Sequence, residues 1–373
     1  MTFVIITHVP HILEQNQYFG YAPYVREMNI WIKNADKVLI IAPISNASKT
    51  AIEINYGHDN IEFKTIQAFN LLSLKQIVGS IYKIPSISWH LFKAMQQAGH
   101  IHLRCPGNIG LLGCIVQILF PYKQKSAKYA GNWDPKSKQP WTYRLQKWIL
   151  NNTFLTKNIK VLVYGEWEGS SKNIKSFFTA TYTEADKVPL REKSPIEPIR
   201  FVFVGTLVSG KRPLYAIQLV EALYKNGIDV LLTLYGEGTE RINLEEYIHQ
   251  NNLENRIVLQ GNQPQNVIQI GYKESHFVIL PSQSEGWPKA IAEGMFWGCV
   301  PIATAVSCVP FMLDQGNRGV LLTINLEKDV KQIEAIIEDE VDYQNRRKKA
   351  AEWSRKYTLD FFEQEIKKLI QTK

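Results

Sequence analysis

A chain of 373 residues with 45% hydrophobic side chains is long enough and apolar enough for two domains with separate cores, so a globular two-domain protein is the starting expectation. The four cysteines, Cys105, Cys114, Cys299 and Cys308, form no CxxC pair and have no histidines at metal spacing, which excludes a zinc site and a disulfide framework and fits a reducing cytoplasm. The net charge of +8 asks for an anionic partner.

In chain order, the start MTFVIITHVPHIL has no basic n-region and no small-residue cleavage site, so it reads as a first strand rather than a signal peptide. FVIITHV, KVLIIAP, IEFKTI, HIHLR, SAKYA and KVLVYGE are strand candidates that alternate with helical patterns, the mark of βαβ units and parallel sheets. The longest nearly uncharged stretch, Asn108 to Phe120, falls short of the about 20 apolar residues that span a bilayer. Between Pro121 and Lys160 stand nine Lys or Arg and a single acid, Asp134. Within that stretch WTYRLQKWIL sets Trp141, Leu145, Trp148 and Ile149 on one helical face, which suits either an interfacial helix on anionic lipid or a core-packed stripe with a solvated basic side.

A polar segment with three prolines, TATYTEADKVPLREKSPIEPI, separates this half from a second strand series: RFVFVG, DVLLTLYG, RIVLQG, HFVILP, VPIAT and GVLLT. The reading is two Rossmann-like domains, with boundaries at 1–185, a linker at 186–199 and a second domain at 200–357. The tail places Phe362, Ile366, Leu369 and Ile370 at helical spacing, an amphipathic helix with a stripe to bury over 358–373.

Two stretches carry chemistry. GTLVSGKRP, Gly205 to Pro213, lies between a strand and a helix and falls one residue short of a P-loop, because Arg212 stands where a P-loop hydroxyl would hold Mg²⁺. Backbone N–H groups at the helix start, with Lys211 and Arg212 beside them, attract phosphate; a tight turn with exposed cations explains the loop equally well. The second stretch is PSQSEGWPKAIAEGMFWGCVPIAT, from Pro281 to Thr304. Here Glu285 falls in the loop at the carboxyl end of a strand and Glu293 more than a turn inside the next helix, too far apart to share a proton or a metal. They are placed to accept hydrogen bonds from two hydroxyl-bearing parts of one long ligand, or are two solvated helix-end glutamates.

Glu285, seven residues, then Glu293, in the context SEGWPKAIAEGMFWGCVPIAT, resembles the E-x7-E signature of retaining glycosyltransferases of family 4. VGTLVSGKRP, LYGEGTE and YKESHFVILPSQSEG resemble the same family in the same order, over roughly residues 200 to 324. The resemblance implies an α/β protein of GT-B fold, two Rossmann-like domains with parallel sheets facing across a cleft, the first binding the acceptor and completed by the C-terminal helix. It implies that Glu285 contacts donor-sugar hydroxyls and Glu293 the ribose, and that Gly205, Thr206, Lys211, Arg212, Gly236, Glu237 and the backbone of Gly286, Trp287 and Pro288 cradle a sugar diphosphate. Thr206 stands where the family carries an arginine, so Arg212 is the candidate second cation. Retention without a metal or cofactor is implied, with UDP-sugar or GDP-sugar as the donor substrate and the departing phosphate deprotonating the acceptor.

In the first half Gly20 replaces the family's Gly-rich loop, and KYAGNWDP lacks its histidine, leaving Asn132 and Asp134, the latter as base or acceptor-orienter. IHLRCPGN sets His102 and Arg104 as acceptor-side candidates, Arg104 for a phosphate or carboxylate, although packing or surface histidines are the ordinary reading for His8, His11, His100 and His102. The function expected is hexose transfer to a saccharide or lipid-linked acceptor in bacterial surface polysaccharide assembly, in the cytoplasm and at the membrane's inner face. A sugar-nucleotide epimerase or phosphorylase is the alternative, and a basic nucleic-acid-binding protein a distant one.

Overall fold

The computed structural model describes residues 1–50, 52–69, 80, 82–195 and 198–371. The chain divides into two compact units: Met1–Phe178 with Glu363–Lys373, and Thr179–Phe362.

In the first unit the strands are β1 (Thr2–Ile6), β2 (Ile12–Glu14), β3 (Gln17–Tyr21), β4 (Lys37–Ala42), β5 (Glu53–Asn55), β6 (Ile61–Thr65), β7 (His100–Cys105), β8 (Gln124–Tyr129), β9 (Ile159–Tyr164) and β10 (Ile174–Phe177). Its helices are α1 (Ala22–Ile32), α2 (Lys83–Gln97), α3 (Asn108–Val116) and α4 (Trp141–Asn151). Seven strands form one sheet in the order β10-β9-β8-β7-β1-β4-β6, with parallel pairing throughout. The inner strands β1 (TFVII) and β4 (KVLIIA) are almost wholly apolar because both faces are covered; Val4, Ile6, Leu39, Ile41, Ile101 and Leu103 pack against Leu91 and Met95 of α2 and Leu112 of α3.

Each of the six expected strands forms, and the sequence reading missed two features. One is the edge strand β10, four residues that are half polar. The other is a small antiparallel sheet, β2-β3-β5. Its hairpin closes on Gln15 and Asn16, both at positive φ (49° and 60°) between the pair Glu14 and Gln17, a mirror-image turn usually signalled by Asn-Gly.

The second unit holds β11 (Ile199–Val204), α5 (Pro213–Lys225), β12 (Val230–Tyr235), α6 (Arg241–Gln250), β13 (Ile257–Gly261), α7 (Gln265–Glu274), β14 (Phe277–Leu280), α8 (Lys289–Phe296), β15 (Val300–Thr304), α9 (Val309–Met312), β16 (Val320–Leu322), α10 (Leu326–Glu338) and α11 (Glu340–Ser354). The parallel sheet runs β13-β12-β11-β14-β15-β16. The chain moves outward from β11 to β12 and β13, then returns to β14 on the other side of β11. Strand order therefore reverses between β11 and β14, and the crevice at their carboxyl ends is where open α/β sheets bind ligands.

The boundary expected at 185 moves to 178 because the segment after Phe178 is built into the second unit. Tyr182 packs on Phe296 and Trp297, with ring centroids 4.9 and 5.1 Å apart, and its carbonyl accepts from the Leu359 N–H at 2.8 Å. The expected linker is fixed as well: Val188 O accepts from Arg355, and Lys193 donates to the carbonyls of Tyr272 and Ser275. Residues 196 and 197 of that linker lie outside the described residues. The last helix, α12 (Leu359–Gln371), enters the first unit at Glu363, where Glu363 pairs with Lys33 and Glu365 with Lys175. Among the described residues no helix is long and apolar enough to cross a membrane.

Candidate functional site

Both sequence motifs of the second unit fall at its switch point, one after β11 and one after β14. The β11 loop runs through Gly205, Thr206 and a fully buried Leu207, then closes in one 3-10 turn, Ser209–Lys211, before Pro213 opens α5. The loop after β12 crosses it backbone to backbone. Leu207 N–H donates to Glu237 O at 2.9 Å, and Glu240 N–H donates to Leu207 O at 2.9 Å. This crossing explains the glycines after β12: a methyl at Gly236 would overlap the Gly205 carbonyl oxygen, and one at Gly238 the Leu207 carbonyl oxygen. Gly236 therefore serves loop packing, and Glu237 is engaged by Arg241 at 2.6 Å. At Gly205 a Cβ would find nothing nearer than 3.6 Å, and Thr206 is exposed.

Lys211 and Glu285 meet here, Nζ to Oε1 at 2.5 Å, and a backbone bond from Gln283 N–H to Gly210 O at 2.8 Å ties the two loops together. Glu285 is 9% exposed, so its carboxylate relies on that ammonium. Arg212 turns the chain into α5 with φ 51° and ψ 49°, a left-handed conformation that costs a non-glycine residue on the order of 1 kcal/mol. Its guanidinium has no hydrogen-bond or ion-pair partner among the described residues. The loops thus present one paired cation, one unpaired cation and one buried carboxylate at the carboxyl ends of β11 and β14.

Glu293, the fifth residue of α8, takes a hydrogen bond from the Thr181 hydroxyl at 2.7 Å and one from the Tyr272 phenol at 3.3 Å. The sequence reading missed both partners, since a lone Thr in a polar segment and a lone Tyr in a helix carry no pattern. Between Thr179–Tyr182 and α8 there is a cavity of about 10 Å³, room for about one water. Trp287 is 7% exposed and stacks on Trp353, so its side chain is committed to packing, while the Gly286 carbonyl accepts from Cys308. Pro288 is the N-cap of α8. Burial pushes the Cys308 thiol up to about 12, and the Glu285 carboxylate adds to this, so Cys308 is not a thiolate nucleophile at neutral pH. Among the described residues no cluster of three or more His, Cys, Asp or Glu could hold a metal ion.

The acceptor-side candidates of the first unit are less free than the sequence suggested. His102 is not at a strand end but in the middle of β7, fully buried; its Nδ1 and the Nε2 of His100 share the Ser126 hydroxyl, each at 2.8 Å, beside Trp31 and Phe3. Arg104 is 13% exposed and bound to Glu27 at 3.0 Å, so it is a buried ion pair and not an open anion receptor. Gly20 sits under Val25 and His11, at 3.0 and 3.3 Å from where a Cβ would be; it makes room for packing in the small sheet. Asn132 and Asp134 form a turn: Asn132 Oδ1 accepts from Asp134 N–H, and Asp134 Oδ1 from Lys136 N–H. His8, weighed in the sequence as an ordinary packing or surface histidine, is a surface one. It is exposed directly after β1, against Gly107 at the start of α3, where the strand order of this sheet also reverses.

The buried histidines carry a pH prediction. Burial lowers His11 and His100 from 6.5 to about 4, and His102 well below its ordinary value. The unfolded chain therefore binds more protons than the folded one between pH 6.5 and 4, and stability is complete above pH 6.5 and falls through that window. His11 and His100 each contribute on the order of 3 kcal/mol across this window, and His102 adds in the same direction. Denaturant unfolding at pH 7.5 and 5 measures the loss, and an unchanged midpoint would show that these rings are charged when folded.

Solved structures set the fold. The chain superimposes on Anabaena HepE in complex with UDP and glucose with a TM-score of 0.69, 14% identity and 100% coverage of both chains. This likeness shows the GT-B fold. Residues 186–356, which fall within the second unit, match the family model "Glycosyl transferases group 1". Alpha-D-kanosaminyltransferase of Streptomyces kanamyceticus is 27% identical over 141 residues, 38% of this chain and 36% of that protein. The putative colanic acid biosynthesis glycosyltransferase WcaL of Salmonella typhimurium is 27% identical over 139 residues, 36% of this chain and 34% of that one. The chain thus spans only about a third of the length of these curated relatives.

Proposed function

We propose that the protein is a retaining, metal-independent glycosyltransferase that moves a hexose from UDP-sugar or GDP-sugar to a saccharide or lipid-linked acceptor, in cell-surface polysaccharide assembly at the cytoplasmic face of a membrane. The observation that carries this reading is the Lys211–Glu285 pair at the β11/β14 switch point, with the unpartnered Arg212 beside it. A donor would separate the pair: its diphosphate takes Lys211 and Arg212, and its sugar hydroxyls donate to the freed Glu285 carboxylate. Ribose hydroxyls exchange with Thr181 and Tyr272 at Glu293. As the bond from the anomeric carbon to the diphosphate breaks, the charge developing on the phosphate is met by the two cations, and the phosphate takes the acceptor's proton as the new glycosidic bond forms on the same face. WcaL's assignment to colanic acid biosynthesis and HepE's bound UDP and glucose support the class of pathway and donor.

Thermal shift against UDP, GDP, ADP and CMP tests the donor class, since a bound nucleotide raises apparent stability by mass action. Arg212→Ala is expected to weaken UDP or GDP binding about tenfold, the worth of one charge-assisted contact. Undiminished affinity takes Arg212 out of the site. Transfer is expected to survive EDTA, and turnover of the sugar nucleotide without any acceptor would favour an epimerase instead.

A further inference from the structure

Strands β7 to β10 are parallel, so the segments leading into them gather along one edge of the sheet, opposite the carboxyl ends where His8 stands. Hydrogen bonds tie these segments together. Lys123 Nζ donates to the carbonyls of Gln96 and Ala98, Asn158 Nδ2 to Pro121 O, Gln117 Nε2 to Leu155 O, and Ser171 N–H to Asn151 Oδ1. From this braced edge the apolar side chains Leu119, Tyr122 and Phe154 are 66%, 92% and 78% exposed. Phe154 is presented by a turn in which Asn152 Oδ1 accepts from the N–H groups of Phe154 and Leu155, so its exposure is built in.

The same edge is basic. Lys157 lies 5.6 Å from the Phe154 ring centroid, and Lys160 and Lys172 are exposed with no hydrogen-bond or ion-pair partner among the described residues. Lys160 and Lys172, with Lys175 and Lys368, line an open groove of about 350 Å³, and Lys175 and Lys368 pair with Glu365. Residues 63–173 hold fifteen Lys or Arg and three acids, Asp134, Glu166 and Glu168. Three of the cations face inward: Lys125, lowered to about 8 by burial, donates to the Gln117 and Phe120 carbonyls, Lys128 donates to Phe178 O, and Arg104 is neutralised by Glu27. The rest supply a positive field.

We propose that this edge is a docking surface for an anionic lipid bilayer, with Leu119, Tyr122 and Phe154 entering the headgroup region and Lys157, Lys160 and Lys172 meeting lipid phosphates. Charge complementarity selects this occupant. A second copy of the chain would bring like charges together, and aliphatic Leu119 offers a nucleic-acid base no stacking face. The helix α4 is not the contact: Leu145 and Ile149 pack into the core, so its apolar stripe is divided and only Trp141 and Trp148 are exposed. The inference concerns the lipid partner of the function proposed above, but it is read by binding, so failure of either leaves the other standing.

The test is co-sedimentation of the full chain with vesicles of phosphatidylcholine alone and with 30% phosphatidylglycerol (about one lipid in three, enough to set a negative surface potential). The expected result is about tenfold or greater preference for the anionic vesicles, reduced about tenfold by Leu119→Ser/Tyr122→Ser/Phe154→Ser and by Lys157→Glu/Lys160→Glu/Lys172→Glu, with melting temperatures unchanged. Equal binding to both vesicles overturns the proposal. So does undiminished binding of the two triple variants, dimerisation through this edge, or displacement from vesicles by a single-stranded oligonucleotide that binds the same edge more tightly.

Discussion

Glu285→Gln is expected to lower kcat/KM for sugar transfer by about 10²- to 10³-fold with little change in melting temperature. The substitution keeps the shape of the side chain and removes its charge. In the free protein it breaks one ion pair to a partly exposed lysine, a small effect on stability. In the donor complex it turns two charge-assisted hydrogen bonds from sugar hydroxyls into neutral ones, about 3 to 4 kcal/mol in all, and each 1.36 kcal/mol is tenfold in rate. Lys211→Ala is expected to lose as much through the diphosphate. Because the two side chains contact each other, the double variant should fall short of the product of the single losses. Wild-type kinetics in Glu285→Gln would remove this residue from the reaction, and strictly multiplicative losses would mean the pair is incidental.

Gly236→Ala is expected to destabilise the second unit by more than about 3 kcal/mol and to abolish nucleotide binding, whereas Gly210→Ala is expected to be silent in stability. Both glycines belong to loops that the family resemblance assigns to phosphate, and only the structure separates them. At 236 the backbone has φ 140° and a methyl would overlap the Gly205 carbonyl oxygen; at 210 nothing lies within 4 Å of a Cβ. Denaturant melts of the two variants, followed by tryptophan fluorescence, give the comparison. Equal stabilities would mean that the loops after β11 and β12 are not in backbone contact.

The second unit's candidate loops were legible because their signals are local. A strand, a loop with Lys211, a helix opened by Pro213 and a glutamate in the next switch-point loop all lie within short stretches whose residue types fix the backbone. The first unit was misjudged for the opposite reason. His102 and Arg104 sit in a strand whose pattern looks the same whether a polar side chain faces solvent or the interior, and only Ser126 from β8 and Glu27 from α1 decide which. Likewise, nine cations between Pro121 and Lys160 read as one basic surface, but Lys125 and Lys128 find carbonyls in the interior.

The sequence by itself determined the α/β alternation, both parallel sheets and the residues of the β11 and β14 loops, because period, caps and turn residues act over a few positions. Tertiary structure alone decided which charges are spent: Lys211 on Glu285, Arg104 on Glu27, Glu293 on Thr181 and Tyr272, with Arg212 left over. Ion pairs and buried hydrogen bonds join residues far apart in the chain, 74 positions for Lys211 and Glu285 and 112 for Thr181 and Glu293, and no local pattern records such a pairing.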